Sequence, residues 1–274
     1  ETALKNIDLS SVSEIGESAF AFISTLESVK LADGVKIGKG AFGYTTSLTK
    51  VENDVNIASV DDYAFAYSAI YSIDLTNAEY IGTYAFIKEE RTPFTVKLGE
   101  KLAKIGDNPF AMCKLPAFES IATETFNGEE FTSVTRTYDI SDTVKVIDGL
   151  LYRVVPYGLE LITYAGDEVM ITVPETTVRI SAQAFIGSKI THVVLPATLK
   201  SIGHKAFYGC DKLAMVSFAS FKAPVLEEEY DYNYWLSAEN LPAKGEYLYQ
   251  DAFTGEVVTH QGLGIVPYFM WNAT

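Results

Sequence analysis

The chain has 274 residues, 21 basic against 36 acidic side chains for a net charge of −15, and a hydrophobic share of 48%. That apolar share supports a sizeable core and excludes a disordered polymer. The acidic balance argues against nucleic acid and anionic lipid surfaces, and no run approaches the ~18 apolar residues of a membrane-spanning helix.

The chain opens at Glu1 without a starter methionine, basic segment or apolar segment, so any export signal is expected either to lie outside this sequence or never to have been there. Leu4/Ile7/Leu9 then sets an aliphatic spacing of i, i+3, i+5, and Ile15-Gly16-Glu17-Ser18-Ala19-Phe20 follows it. Because Leu4 enters mid-pattern, further residues are expected upstream. Both phrases recur. Leu26/Val29/Leu31 leads to Ile37-Gly38-Lys39-Gly40-Ala41-Phe42, Leu48/Val51/Asn53 to Val60–Phe65, and Ile70/Ile73/Leu75 to Ile81-Gly82-Thr83-Tyr84-Ala85-Phe86. Pro93/Val96/Leu98 leads to Ile105-Gly106-Asp107-Asn108-Pro109-Phe110, with Leu115/Phe118/Ser120 after it. The aliphatic residue always precedes the phenylalanine by five positions.

A unit this short cannot bury its own apolar face, so successive units must stack and pair their strands in parallel. The triplets, the isoleucines and the phenylalanines then form three ladders. Alanine before the phenylalanine marks a tight site. Glycine after the isoleucine is better explained by crowding than by backbone handedness, because Asp61 and Ser181 stand in for it in two copies.

Gly38-Lys39-Gly40-Ala41-Phe42-Gly43 is a literal GxGxxG, yet the repeat register accounts for it and a strand, not the required helix, is predicted after it. From Thr123 to Thr143 the chain turns polar and acidic and reads as a loop. Val146–Val155 and Leu159–Tyr164 then flank Pro156-Tyr157-Gly158 as a predicted hairpin. Ile171 and Val173 resume the strand phase, followed by Ile180–Phe185, Ile190/Val193/Leu195, Ile202–Phe207 and Leu213/Val216/Phe218. Cys113 and Cys210 each lie three residues after a ladder phenylalanine, on rungs at least three spacings apart. That separation, about 14 Å, exceeds what a disulfide spans, so both are predicted to be buried free thiols. Residues 219–274 are rich in aromatics and read as a cap over the last rung.

LxxIxL followed by IGxxAF, with cysteine three beyond the phenylalanine in two copies, resembles the BspA-type leucine-rich repeats of bacterial surface proteins over residues 4–218. The resemblance implies an exported, surface-attached solenoid, often adhesive. The fold expected is therefore a right-handed leucine-rich-repeat solenoid. Short parallel strands stack in one curved sheet, with turns or short helical segments on the opposite wall, a β-hairpin island and an aromatic C-terminal cap. The segments expected are repeats over 1–121, an acidic loop and hairpin island over 122–166, repeats over 167–218 and the cap over 219–274.

No catalytic apparatus is visible. His192, His204 and His260 have no metal-ligand spacing, and no GxSxG occurs. Asp61-Asp62, Glu89-Glu90 and Glu227–Asp231 read as solvated turns rather than calcium loops. The sheet face carries a row of outward residues, Asp8, Lys30, Glu52, Asp74, Lys97, Glu119, Val194 and Ser217, without an aromatic stripe in the flanking row. The function expected is non-enzymatic recognition of a protein partner at the cell surface, without a cofactor, through Lys30, Glu52, Asp74, Lys97 and Glu119. Two alternatives stand beside it. Tyr230, Tyr232, Tyr234 and Trp235 form a candidate glycan platform, and residues 219–274, with Glu239 and Glu246, a candidate carboxylate hydrolase site.

Overall fold

A computed structural model describes residues 3–115, 120–126, 129–135, 137–219, 224–226, 245–250 and 257–262. The chain divides into two compact units, residues 1–153 and 154–274.

In the first unit each repeat contributes two strands. The triplet strands Asn6–Leu9, Ser28–Leu31 and Lys50–Glu52 pair in parallel and in register, as do Ser72–Leu75 and Thr95–Leu98. The expectation of one sheet is refined here, because the ladder isoleucines build a second parallel sheet of five two-residue strands. These are Glu14–Ile15, Lys36–Ile37, Ser59–Val60, Tyr80–Ile81 and Lys104–Ile105. Alternation puts Val29, Leu31, Ile73, Leu75, Ile37, Val60 and Ile81 in the core, each at most 3% exposed.

The third wall is a run of turns with its own inter-rung ladder. The Phe20 N–H donates to the Ala41 carbonyl, Phe42 to Ala64, Phe65 to Ala85 and Phe86 to Pro109, at 2.7–2.8 Å. Residues two before and two after each phenylalanine donate to the next rung in the same way, as Ser18 does to Lys39 and Phe22 to Gly43. Inside this wall the rings stack: Phe20–Phe42, Phe42–Phe65, Phe65–Phe86 and Phe86–Phe110 have centroids 5.2–5.5 Å apart and planes within 12°. Among the described residues the only helical turn is the 3-10 segment Asp54–Asn56.

Crowding fixes the glycines. A Cβ on Gly82 would lie 2.3 Å from the Asp62 backbone nitrogen, and one on Gly106 2.3 Å from that of Thr83, in each case on the preceding rung. Neither glycine has a positive φ. Gly16, in the first described rung, has nothing within 4 Å of such a Cβ.

Three elements depart from expectation. The polar stretch read as a loop carries strands Ser120–Phe126 and Glu129–Thr135, paired antiparallel, and Thr137–Asp139. The run Val146–Val155 is not one strand. Asp148 and Gly149, with φ of 50° and 77°, make a two-residue turn between Val144–Ile147 and Leu150–Val155. Finally, Pro93 is exposed while Phe94 turns inward, 1% exposed, against Phe86 and Phe110. Ser141 and Thr143 hydroxyls donate to the Leu102 carbonyl and Arg153 to that of Ile105, so this segment satisfies carbonyls of the last rung in the first unit.

The second unit has two parallel ladders. Gly158–Tyr164, Thr177–Ile180, Ser201–Ile202 and Val225–Leu226 form one. Met170–Thr172, His192–Leu195, Met215–Phe218 and Gly245–Gln250 form the other, which ends in the antiparallel strand Val257–Gly262. Phe185 and Phe207 stack at 4.9 Å. Tyr164 continues this wall: its N–H donates to the Ala184 carbonyl and its ring lies 5.7 Å from Phe185. Cys113 and Cys210 are buried and free, as predicted.

Candidate functional site

The outward sheet-face row is present in the first unit, and strand register brings its members into contact. Asp8 lies beside Lys30 and Lys30 beside Glu52, while Asp74 lies beside Lys97. Lys30 Nζ is 3.5 Å from Asp8 Oδ2, and Lys97 Nζ is 3.0 Å from Asp74 Oδ2. Glu52 pairs with Lys50 of its own strand. Burial alone would raise the Asp74 carboxyl pKa, but hydrogen bonds from Thr76 and Lys97 outweigh it and hold that carboxyl below its ordinary value. Between Glu52 and Asp74 the row is broken: Asn53, in the left-handed conformation, opens the 3-10 turn, and the two strands belong to separate sheets. Exposed pairs of this kind add little to stability, because solvent screens them. Glu119, Tyr230, Tyr232, Tyr234 and Trp235 lie outside the described residues, as do Glu239 and the Glu246 side chain.

The turn wall carries a row of outer aromatic side chains. The position two after the ladder phenylalanine is Phe22, Tyr44 and Tyr67 in three successive rungs, and the rings stack at 4.9 and 4.7 Å on the outer surface. Phe22 is 72% and Tyr44 45% exposed. Two before the phenylalanine stand Tyr63 and Tyr84, with centroids 5.4 Å apart. All five hold a positive φ, between 52° and 62°. In the sequence the first row shows only as a constant offset of plus two from the ladder phenylalanine.

Titratable groups elsewhere are structural. Lys88 is buried and donates to the Ser68 and Ile70 carbonyls, 2.7 Å each, with Nζ 5.3 Å from the Phe94 centroid. Burial lowers its pKa to about 8. Burial likewise pushes the Cys113 thiol up to about 12, the wrong direction for a nucleophile. Asp62 accepts from the Thr83 N–H and the Tyr80 hydroxyl; burial and Asp62 together raise the Tyr80 pKa to about 12. His192 Nε2 lies 2.9 Å from the Ser217 hydroxyl of the next rung. Among the described residues no group of three histidine, cysteine or carboxylate side chains could hold a metal ion, and no helix is long and apolar enough to cross a membrane.

Stacked parallel strands, a turn wall with an internal phenylalanine ladder and rows of identical positions one rung apart define a repeat-protein scaffold. Residues 1–116 and 168–260 match the BspA type leucine-rich repeat region in six copies, and the chain belongs to that family. No curated protein matches it significantly. Among solved structures it is similar to a leucine-rich repeat protein from Eubacterium ventriosum (18% identity, TM-score 0.56, 80% of this chain and 62% of that one). It is similar also to a leucine rich cell surface protein from Faecalibacterium prausnitzii (16%, 0.47, 88% and 64%). A third likeness is to the pneumococcal vaccine antigen PcpA (15%, 0.46, 81% and 51%). The chain thus spans less than two thirds of each of these three proteins.

Proposed function

We propose that this protein is a non-enzymatic recognition scaffold that binds a protein partner, exported and displayed at a bacterial cell surface. The observation that carries this reading is register: residues at one repeat position stand one rung apart, as Asp8, Lys30 and Glu52 do, so a side-chain type can be extended into a continuous surface. Membership of the BspA-type family supports the same reading and the surface location. Lys30 and Lys97 keep more than half of their side-chain surface exposed despite their pairing, and with Glu52 and Asp74 they supply the polar contacts of the sheet face, Glu119 lying outside the described residues.

The test is an array carrying immobilised extracellular-matrix proteins beside neutral and acidic glycans, probed with the labelled full chain. Saturable binding to protein spots is expected. Binding to glycan spots alone would overturn the reading in favour of carbohydrate capture.

A further inference from the structure

The outer aromatics of the turn wall ask for an explanation that the fold does not supply. The positions that Tyr63 and Tyr84 occupy are Ser18, Gly40, Asn108, Gln183 and Lys205 in other rungs, and those of Phe22, Tyr44 and Tyr67 are Lys88, Met112, Gly187 and Gly209. All of these but Lys88 share the positive φ, so the turn forms without an aromatic side chain. Left-handed backbone is disfavoured for bulky residues, yet five aromatics occupy it on one wall of one unit. Three of them gain little burial there, Phe22, Tyr44 and Tyr63 being 40–72% exposed, while Tyr67 and Tyr84 are half-buried. Side chains held at a conformational cost and exposed in a row point to contact with something else.

The charges around them say what. On the turns 16–23, 38–45 and 61–68 and the segment 82–91 stand Glu17, Asp61, Asp62, Glu89 and Glu90, against exposed Lys39, the buried Lys88 and the half-buried Arg91. The charged groups acting on the Tyr63 and Tyr67 hydroxyls are the carboxylates Asp62 and Glu89. The Phe22, Tyr44 and Tyr67 rings stack face to face along the rungs and so offer their edges outward, while Tyr63 and Tyr84 are tilted at 32°. That geometry suits aliphatic stems ending in donors better than the flat face of a sugar ring. Four rungs span roughly 14 Å, the length of four or five extended residues.

We propose that Phe22, Tyr44, Tyr63, Tyr67 and Tyr84 form the docking surface for an extended, arginine- or lysine-bearing segment of a protein partner. The inference rests on the protein-recognition reading above. Cationic heads pair with Glu89 and Asp62 and donate to the phenol oxygens, while their stems lie along the ring edges.

Fluorescence anisotropy with the full chain tests it, using labelled peptides of four Arg-Ser-Leu, Gln-Ser-Leu or Glu-Ser-Leu repeats and labelled maltohexaose. The Arg-Ser-Leu peptide is expected to bind at least tenfold more tightly than the Glu-Ser-Leu peptide. Phe22→Gly/Tyr44→Gly/Tyr67→Gly, which the backbone accepts as it does Gly187 and Gly209, is expected to lose at least tenfold with an unchanged circular dichroism spectrum. Glu89→Gln, a single surface change, is expected to weaken binding severalfold. Equal binding of the Arg-Ser-Leu peptide by wild type and triple variant, or no preference among the three peptides, overturns the inference. Maltohexaose binding lost in the triple variant, without peptide binding, overturns it in favour of a glycan. On the matrix-protein array, a triple variant that binds like wild type sinks this inference alone. A wild type that binds no protein spot sinks the parent reading with it.

Discussion

At the scale of single residues, the repeat motif records sterics more than chemistry. At Gly38, Gly82, Gly106 and Gly203 the preceding rung's backbone occupies the space of a Cβ, whereas Gly16 on the first described rung meets nothing, and the contrast between Gly106 and Gly16 makes this measurable. Gly106→Ala is expected to cost about 2–4 kcal/mol in urea denaturation, since the clash is with backbone that cannot rotate away. Gly16→Ala is expected to stay within about 0.5 kcal/mol. Lys88 gives a second residue-scale expectation. Its folded pKa, about 8, lies below the ordinary 10.5, so the unfolded chain binds its proton more tightly. Stability at this site is therefore lowest below pH 8 and rises as pH climbs from 8 to 10.5, by on the order of 3 kcal/mol. The difference in unfolding free energy between wild type and Lys88→Met should trace that rise across the same window. A flat difference would mean that the ammonium is not desolvated.

At the scale of elements, strand and turn were legible wherever one residue type recurred at a fixed offset. Most triplet aliphatics and the phenylalanine ladder from Phe42 onward are buried where the periodicity put them, Phe42, Phe65, Phe86 and Phe110 being 0% exposed, while Leu4 on the first rung is 40% exposed and Ile7, Phe20, Val51 and Leu98 are half-buried. Phe65→Ala should accordingly cost about 3–5 kcal/mol by denaturant unfolding, whereas Phe22→Ala, at the outer surface, should cost less than about 1 kcal/mol. Failures came where a rung uses different residues for the same job. Tyr164 joins the phenylalanine wall three, not five, residues after Leu161, which pairs with Ile180, and threonine stands before it instead of alanine. Phe94 takes the inward place that spacing assigned to Pro93, because Thr92–Pro93 forms a short strand with Cys113–Lys114. Polar composition concealed the strands at Ser120–Phe126 and Glu129–Thr135, which pair with each other. Asp148-Gly149 is a recognised tight-turn pair, but it sits inside an apolar run long enough to pass for a single strand. Gly149→Val is expected to destabilise the first unit by about 1–2 kcal/mol, since φ of 77° excludes a β-branched side chain.

At the scale of the whole molecule, stacking turns a short repeat into surface. Each unit buries its own ladders, and what remains outside is rows of variable positions whose spacing the rungs dictate. The sheet-face row was legible from alternation alone, and it satisfies much of its charge internally through Lys30–Asp8 and Lys97–Asp74. The aromatic row on the turns could not be weighed from sequence in the same way, because its exposure depends on a backbone handedness that only the folded turn reveals. With a net charge of −15, encounter with a basic partner should slow and weaken as salt rises, the effect tapering above physiological ionic strength.

The claim under all of this is that consecutive repeats lie flat on one another in parallel register. Paired cysteines test it directly. Asp8 and Lys30 are register partners, one strand spacing of about 4.8 Å apart, within the span a disulfide bridges, while Asp8 and Glu52 are two spacings apart and beyond it. Under mild oxidant, Asp8→Cys/Lys30→Cys should close an intramolecular disulfide, and Asp8→Cys/Glu52→Cys should keep both thiols, as read by mass shift after alkylation. Closure of the second pair and not the first would contradict the stacked register.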